Sequence, residues 1–174
     1  MRIGVCLDPG RTWSDLRLLA GLADEGGLAT VYLPDHFMPY APTVQSFPTG
    51  APVFECWTGL TALAALTRQI RLAPLVLGAT YRHPAVVANM AAALDQLSGG
   101  RLTLGVGAGW QVNEHAAYGI TLPPVRERLD RFEESIQVLK ALLGGGPVDF
   151  AGAHFRLDGA VCAPGPLQLS LIHI

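Results

Sequence analysis

Residues 84–110 read PAVVANMAAALDQLSGGRLTLGVGAGW, and this stretch decides the fold class. Pro84 opens a helix, because its fixed φ suits the first turn and its missing N–H would have no partner there. Apolar residues at Val87, Met90, Ala91, Leu94 and Leu97 recur at helical spacing and line one face. Ser98-Gly99-Gly100 ends the helix. Leu102, Leu104 and Val106 then begin a strand that runs into Gly105-Val106-Gly107-Ala108-Gly109. A helix that delivers the chain straight into an apolar β run is part of a crossover between parallel strands.

The same alternation extends in both directions. Upstream, Ile3–Leu7 reads as a first strand closed by Asp8-Pro9-Gly10, and Ser14–Ala23 as a helix stopped by Gly26-Gly27. Thr30–Leu33 is a second strand ending at Pro34, and a long Pro-, Thr- and Gly-rich loop spans Asp35–Cys56. Loops of that length inside a domain are often functional. Trp57–Arg68 reads as a helix and Arg71–Leu77 as a third strand, apolar on both sides. Downstream, Arg126–Leu143 is amphipathic, with Leu129, Phe132, Ile136, Leu139 and Leu143 inward, and Val148–Leu157 resembles a small hairpin around Gly152. Strands without polar alternation, separated by helices, predict an α/β fold with a parallel sheet. An open doubly wound sheet and a (β/α)₈ barrel both fit. Four units in roughly 145 residues is the pace of a barrel of about 250, so the chain is expected to supply about the first four βα units.

Composition narrows the function classes. Of 174 residues, half are apolar and 15% charged, enough to bury a core; the formal net charge is −2. Without a basic stripe there is no electrostatic support for nucleic acid. No apolar run approaches the ~20 residues of a membrane span, and MRIGVCLDPG lacks the pattern of a signal peptide. Cys6, Cys56 and Cys162 are odd in number and far apart, which points to free thiols and a cytoplasmic setting.

Candidate chemistry gathers where strands end. Asp35-His36-Phe37 follows the second strand, and the C-terminal rim is where a barrel builds its site. His36 can act as general acid or base near neutral pH, with Asp35 fixing the loop or bonding a cofactor; a loop-capping pair is the alternative. The glycines of 105–109 let a flat ring approach the backbone, or simply serve strand-end packing. They are not a dinucleotide fingerprint, because Trp110 and Val112 stand where the last glycine would fall. In Tyr81-Arg82-His83-Pro84, Arg82 could hold an anion and His83 could cap the helix or touch ligand. Trp57 and Trp110 could wall a cleft. His83, Glu114 and His115 lack zinc-site spacing, so no metal is expected.

Taken together, VYLPDHF at 31–37, YRHPAVVAN at 81–89, LDQLSGGRLTLGVGAGW at 94–110 and RLDRFEESIQVLKAL at 128–142 resemble the luciferase-like monooxygenase superfamily, and within it the coenzyme F420-dependent oxidoreductases. The likeness runs to about Gln168, including the ExWTxLxALA segment at 55–64. It implies a (β/α)₈ barrel with the flavin or deazaflavin ring at the C-terminal rim. It makes residues 1–168 the N-terminal half of one such domain, and 169–174, which match nothing expected there, a truncated or non-native tail. Asp35 and His36 match the family's rim pair, and Asn113 a residue near the ring. The strand before YRHP carries a non-proline cis peptide in several relatives, which here would fall between Pro74 and Leu75. The sugar-phosphate dehydrogenase branch has an acidic residue where this chain has Trp110, which argues for a larger or more apolar pocket.

The resemblance therefore implies hydride transfer between coenzyme F420 and a small organic substrate. His36 would be the catalytic residue, and Asp35, Pro74, Leu75, Gly107, Trp110 and Asn113 the cofactor-binding ones, in a homodimer or higher homo-oligomer. An FMN-dependent monooxygenase of the same superfamily is the nearest alternative. A half-barrel acting only through association with another chain is the alternative outside enzymology, since open sheet edges favour association.

Overall fold

The structure, a computed structural model, describes residues 1–38, 52–170 and 172–173. Most of the Asp35–Cys56 loop, and Leu171 and Ile174 of the tail, lie outside these. The chain divides into two compact units. One comprises Met1–Leu77 and Arg101–Val106 with His173, the other Gly78–Gly100 and Gly107–Ile172.

In the first unit the chain runs through β1 (Gly4–Cys6), α1 (Trp13–Glu25), β2 (Thr30–Leu33), α2 (Cys56–Leu66) and β3 (Arg71–Pro74). The strands pair parallel in chain order: Cys6 faces Tyr32, Tyr32 faces Ala73, and Leu33 faces Pro74. Leu72 continues the parallel series to Leu102. Val31, Leu33, Leu72 and Leu102 are buried together with Leu16, Leu60 and Leu63 from the helices. Strands of this kind, covered on both faces, belong to parallel sheets.

Polar groups close the helix ends. The Thr12 hydroxyl accepts from Asp15 N and donates to its carboxylate, capping α1. Glu55 caps α2 by accepting from Trp57 N (3.0 Å) and Thr58 N (2.7 Å). At the far end of α1, the Asp24 carboxylate accepts from three successive backbone amides, Arg68, Gln69 and Ile70, at 2.7–2.9 Å. Partial burial raises the Asp24 pKa. Those three amides and the Arg101 charge outweigh it and hold the carboxyl below its ordinary range. Arg101 itself donates to Thr67 Oγ1 and to the carbonyls of Ile70 and Ala64.

The strands β4 (Leu77–Gly78) and β5 (Leu104–Gly107) are neighbours, with β8 (Ile172–His173) on the other side of β5. The second unit also holds α3 (Pro84–Ser98), α4 (Val112–Tyr118), α5 (Val125–Leu143), β6 (Val148–Ala151) and β7 (Arg156–Ala160). His83 caps α3, its Nδ1 accepting from Ala85 N, and Gly99 ends it in the left-handed conformation. Helix α3 packs on α5, and β6 and β7 form an antiparallel hairpin whose turn amides, Ala153, His154 and Phe155, all donate to Glu134. The fully buried Asp95 accepts from Leu167 N, Gln168 N and Gln168 Nε2, fixing the segment at the edge of the expected tail.

Four expectations change. The single strand over Arg71–Leu77 is two, β3 and β4, parted at Leu75-Val76. Leu97 is 72% exposed, because α3 turns a stripe of small residues, Ala88, Ala91 and Ala92, inward and so leaves Leu97 on its outer side. Leu129 is exposed as well, since α5 buries its second half, from Ser135 to Leu142. Helix α4 was not anticipated: it has only seven residues and no side-chain cap at its start.

Candidate functional site

The candidate residues fall into two sets, one in each unit. In the first, the parallel register brings the ends of β2 and β3 side by side. Leu75 N donates to Leu33 O at 2.9 Å, so the ladder continues one residue past Pro74. That ladder bond explains a correction: the non-proline cis peptide lies between Leu75 and Val76, one residue later than Pro74-Leu75. Beyond it the side chains of Leu75 and Val76 stay substantially exposed, an unusual place for two aliphatic residues at a strand end. After β2, Asp35 is buried and His36 half-buried. Register thus places Asp35-His36 and Leu75-Val76 on neighbouring strand ends.

Glycine at 105 answers to the protein itself. A Cβ there would lie 2.7 Å from the Pro74 carbonyl oxygen, closer than carbon and oxygen tolerate. Gly105 therefore serves strand-end packing rather than the approach of a ring.

In the second unit, Ala79 N donates to Gly107 O at 2.9 Å, setting the Thr80-Tyr81 turn against Gly107–Gly109. Gly109 has φ +83°, and a Cβ on it would meet Thr80 Oγ1 at 2.7 Å; both facts require glycine. The chain then enters α4, whose inner side carries a polar network. His115 Nδ1 lies 2.7 Å from the Gln111 carbonyl, which only accepts, so Nδ1 carries the proton. In that tautomer Nε2 accepts from the Thr80 hydroxyl, also at 2.7 Å. Tyr81 donates its phenol to the Glu114 carboxylate, and its ring lies 4.8 Å from that of His115. Glu114 and His115 are fully buried.

With both nitrogens committed, His115 fixes the turn and the helix start rather than offering a nitrogen to a ligand. Sequence reading weighed Glu114 and His115 only as metal ligands. Among the described residues no three His, Cys, Asp or Glu side chains gather as a metal site would. Trp110, 57% exposed, and Asn113, half-buried, stand on either side of Gln111 in the sequence. Gln111 itself was missed. It is 2% exposed, and both its amide atoms are buried without a hydrogen-bond partner among the described residues. Trp57, the other proposed wall, is buried in the core as part of α2.

The chain is 39% identical over 153 residues to the F420-dependent glucose-6-phosphate dehydrogenase of Beutenbergia cavernae, covering 87% of this chain and 44% of that protein. Among solved structures, an F420-dependent secondary alcohol dehydrogenase bound to an F420-acetone adduct superposes with a TM-score of 0.83 at 28% identity, over 96% of this chain and 49% of that one. The monooxygenase RslO1 of Streptomyces bottropensis gives 0.79 at 27% identity, over 97% and 50%. The chain spans about half the length of the relatives it matches. Its fold is that of their α/β barrel, of which it carries about the first four βα units. Residues 1–172 match the sequence profile of the family described as luciferase-like monooxygenase, and the chain belongs to that family.

Proposed function

We propose that the protein is an oxidoreductase that binds coenzyme F420 and transfers hydride between it and a small organic substrate. The observation that supports this most is the pairing of an F420-using relative at 39% identity with an F420-bound structural neighbour at 28%. Two features of the residues present suit a flat, hydrogen-bonding ring. Leu75 and Val76 leave apolar surface uncovered at a strand end, and Gln111 holds a carboxamide with no partner among the described residues. When bound, the deazaflavin supplies the hydride chemistry.

The chain's own residues bind and orient. In the first unit, Asp35, Pro74 and Leu75 hold the cofactor, and His36 donates or accepts the proton that accompanies hydride transfer at the substrate oxygen. The family resemblance also assigns cofactor binding to Gly107, Trp110 and Asn113, which lie in the second unit. Glucose 6-phosphate is a poor expectation for the substrate. A large indole at position 110 adds no hydrogen-bonding group for a sugar hydroxyl beyond one N–H, and it favours an uncharged, more apolar alcohol or ketone. The protein acts as a homodimer or higher homo-oligomer in the cytoplasm. No helix among the described residues is long and apolar enough to cross a membrane.

The test is turnover without oxygen. The protein is mixed with F420 and either secondary alcohols or sugar phosphates, and the deazaflavin absorbance is followed. Bleaching with an alcohol and none with glucose 6-phosphate supports the reading. Oxygen-dependent turnover of a substrate with chemically reduced FMN in place of F420 would replace it by the monooxygenase alternative, which the RslO1 likeness favours.

A further inference from the structure

We infer that the Gln111 carboxamide is a specificity-determining group for the cofactor ring, pairing through its donor and its acceptor with the pyrimidinedione edge. The inference deepens the cofactor reading above and rests on it.

Nothing among the described residues uses this amide. Gln111 is 2% exposed, and its Oε1 and Nε2 are the buried side-chain atoms without a hydrogen-bond partner among the described residues. Its neighbours are satisfied: His115 through the Gln111 carbonyl and Thr80, and Glu114 through Tyr81. Gln111 precedes α4, yet its side chain makes no capping bond. A buried, unpaired amide costs stability, and an apolar side chain of the same length would avoid that cost. A locally unfavourable choice beside satisfied neighbours is typical of a group kept for a ligand.

The chemistry of the amide selects the ligand class. A carboxamide carries a donor and an acceptor on one carbon, so its full complement is a group presenting an acceptor and a donor side by side. Flavin and deazaflavin rings share such an edge, an N–H between two carbonyls, whereas a lone hydroxyl or a phosphate answers only part of it. Gln111 lies between Trp110 and Asn113, directly after the glycine-rich strand end. Turning the amide toward a ring through its three side-chain torsions breaks no hydrogen bond to a described residue. Buried groups of this kind discriminate strongly, since a ligand that cannot pair leaves them unpaired.

The experiment measures ring binding by fluorescence quenching, using F420, FMN and the 3-methyl derivative of whichever ring binds, with wild type and Gln111→Met. Methylation removes the edge N–H. Wild type is expected to bind the unmethylated ring about tenfold more tightly than the methylated one, one hydrogen bond's worth. Gln111→Met is expected to lose about tenfold for the unmethylated ring and to discriminate no longer, while its ligand-free melting temperature stays level or rises. Equal binding of both rings by wild type overturns the inference even if the variant fails to fold. Unchanged affinity and discrimination in a folded Gln111→Met overturns it too, and either result leaves the cofactor reading standing. Failure of wild type to bind any ring overturns both.

Discussion

The Thr80 hydroxyl lies 2.7 Å from Nε2 of His115, and this bond completes the ring's engagement inside the second unit. Nδ1 is spent on the Gln111 carbonyl, so without Thr80 the buried Nε2 would have no donor. Thr80→Val keeps the shape and removes that donor. Urea unfolding is expected to show a loss of about 1–3 kcal/mol, with Thr80→Ser recovering most of it. A valine variant as stable as wild type would mean that the imidazole finds another donor.

Asp24 gives a pH-dependent prediction. Its carboxyl is held below the ordinary value, against the opposing effect of burial, by three backbone amides and Arg101. A group whose pKa is lowered by folding contributes stability that is complete above its unfolded pKa, about 3.9, and is lost as pH falls through the folded value. Asn cannot accept on both arms. Asp24→Asn should therefore be less stable than wild type by about 2 kcal/mol at pH 7, the two converging as pH drops below about 4. A constant gap across that range would place the effect in packing rather than charge.

Gly105→Ala sets a Cβ against the Pro74 carbonyl, itself part of the backbone, so the strands must part to admit it. A loss of about 1–3 kcal/mol is expected by thermal unfolding, whatever ligand is present. Equal stability would show that the strand ends yield easily.

Much of this was legible in the residues. Thr30–Leu33 and Pro84–Ser98 carry their own punctuation, Pro34 after the one, Pro84 and Gly99 at the ends of the other, and their bounds stand as read. Local chemistry of that kind survives tertiary context. The break at Leu75-Val76 does not show in an unbroken apolar run, because strand continuity depends on partners outside the segment. The inward face of α3 was misjudged at Leu97, where size suggested burial but close packing favoured alanine. On the site side, strand-end position singled out Asp35 and His36. Gln111 carried no signal, since only coordinates reveal that a polar atom is buried and unpaired.

His36 is the residue assigned to proton transfer. His36→Ala is expected to lower kcat/KM by about a hundredfold or more, with cofactor Kd changed by less than about tenfold. Loss confined to Kd would make it a cofactor contact alone.

Direct titration decides the identity of the cofactor. The protein at micromolar concentration is titrated into F420 and, separately, into FMN, and quenching of each ring's fluorescence is recorded. Saturable quenching of F420, with FMN binding at least about tenfold weaker, is the predicted result. Tight binding of FMN with no response from F420 would contradict the deazaflavin assignment.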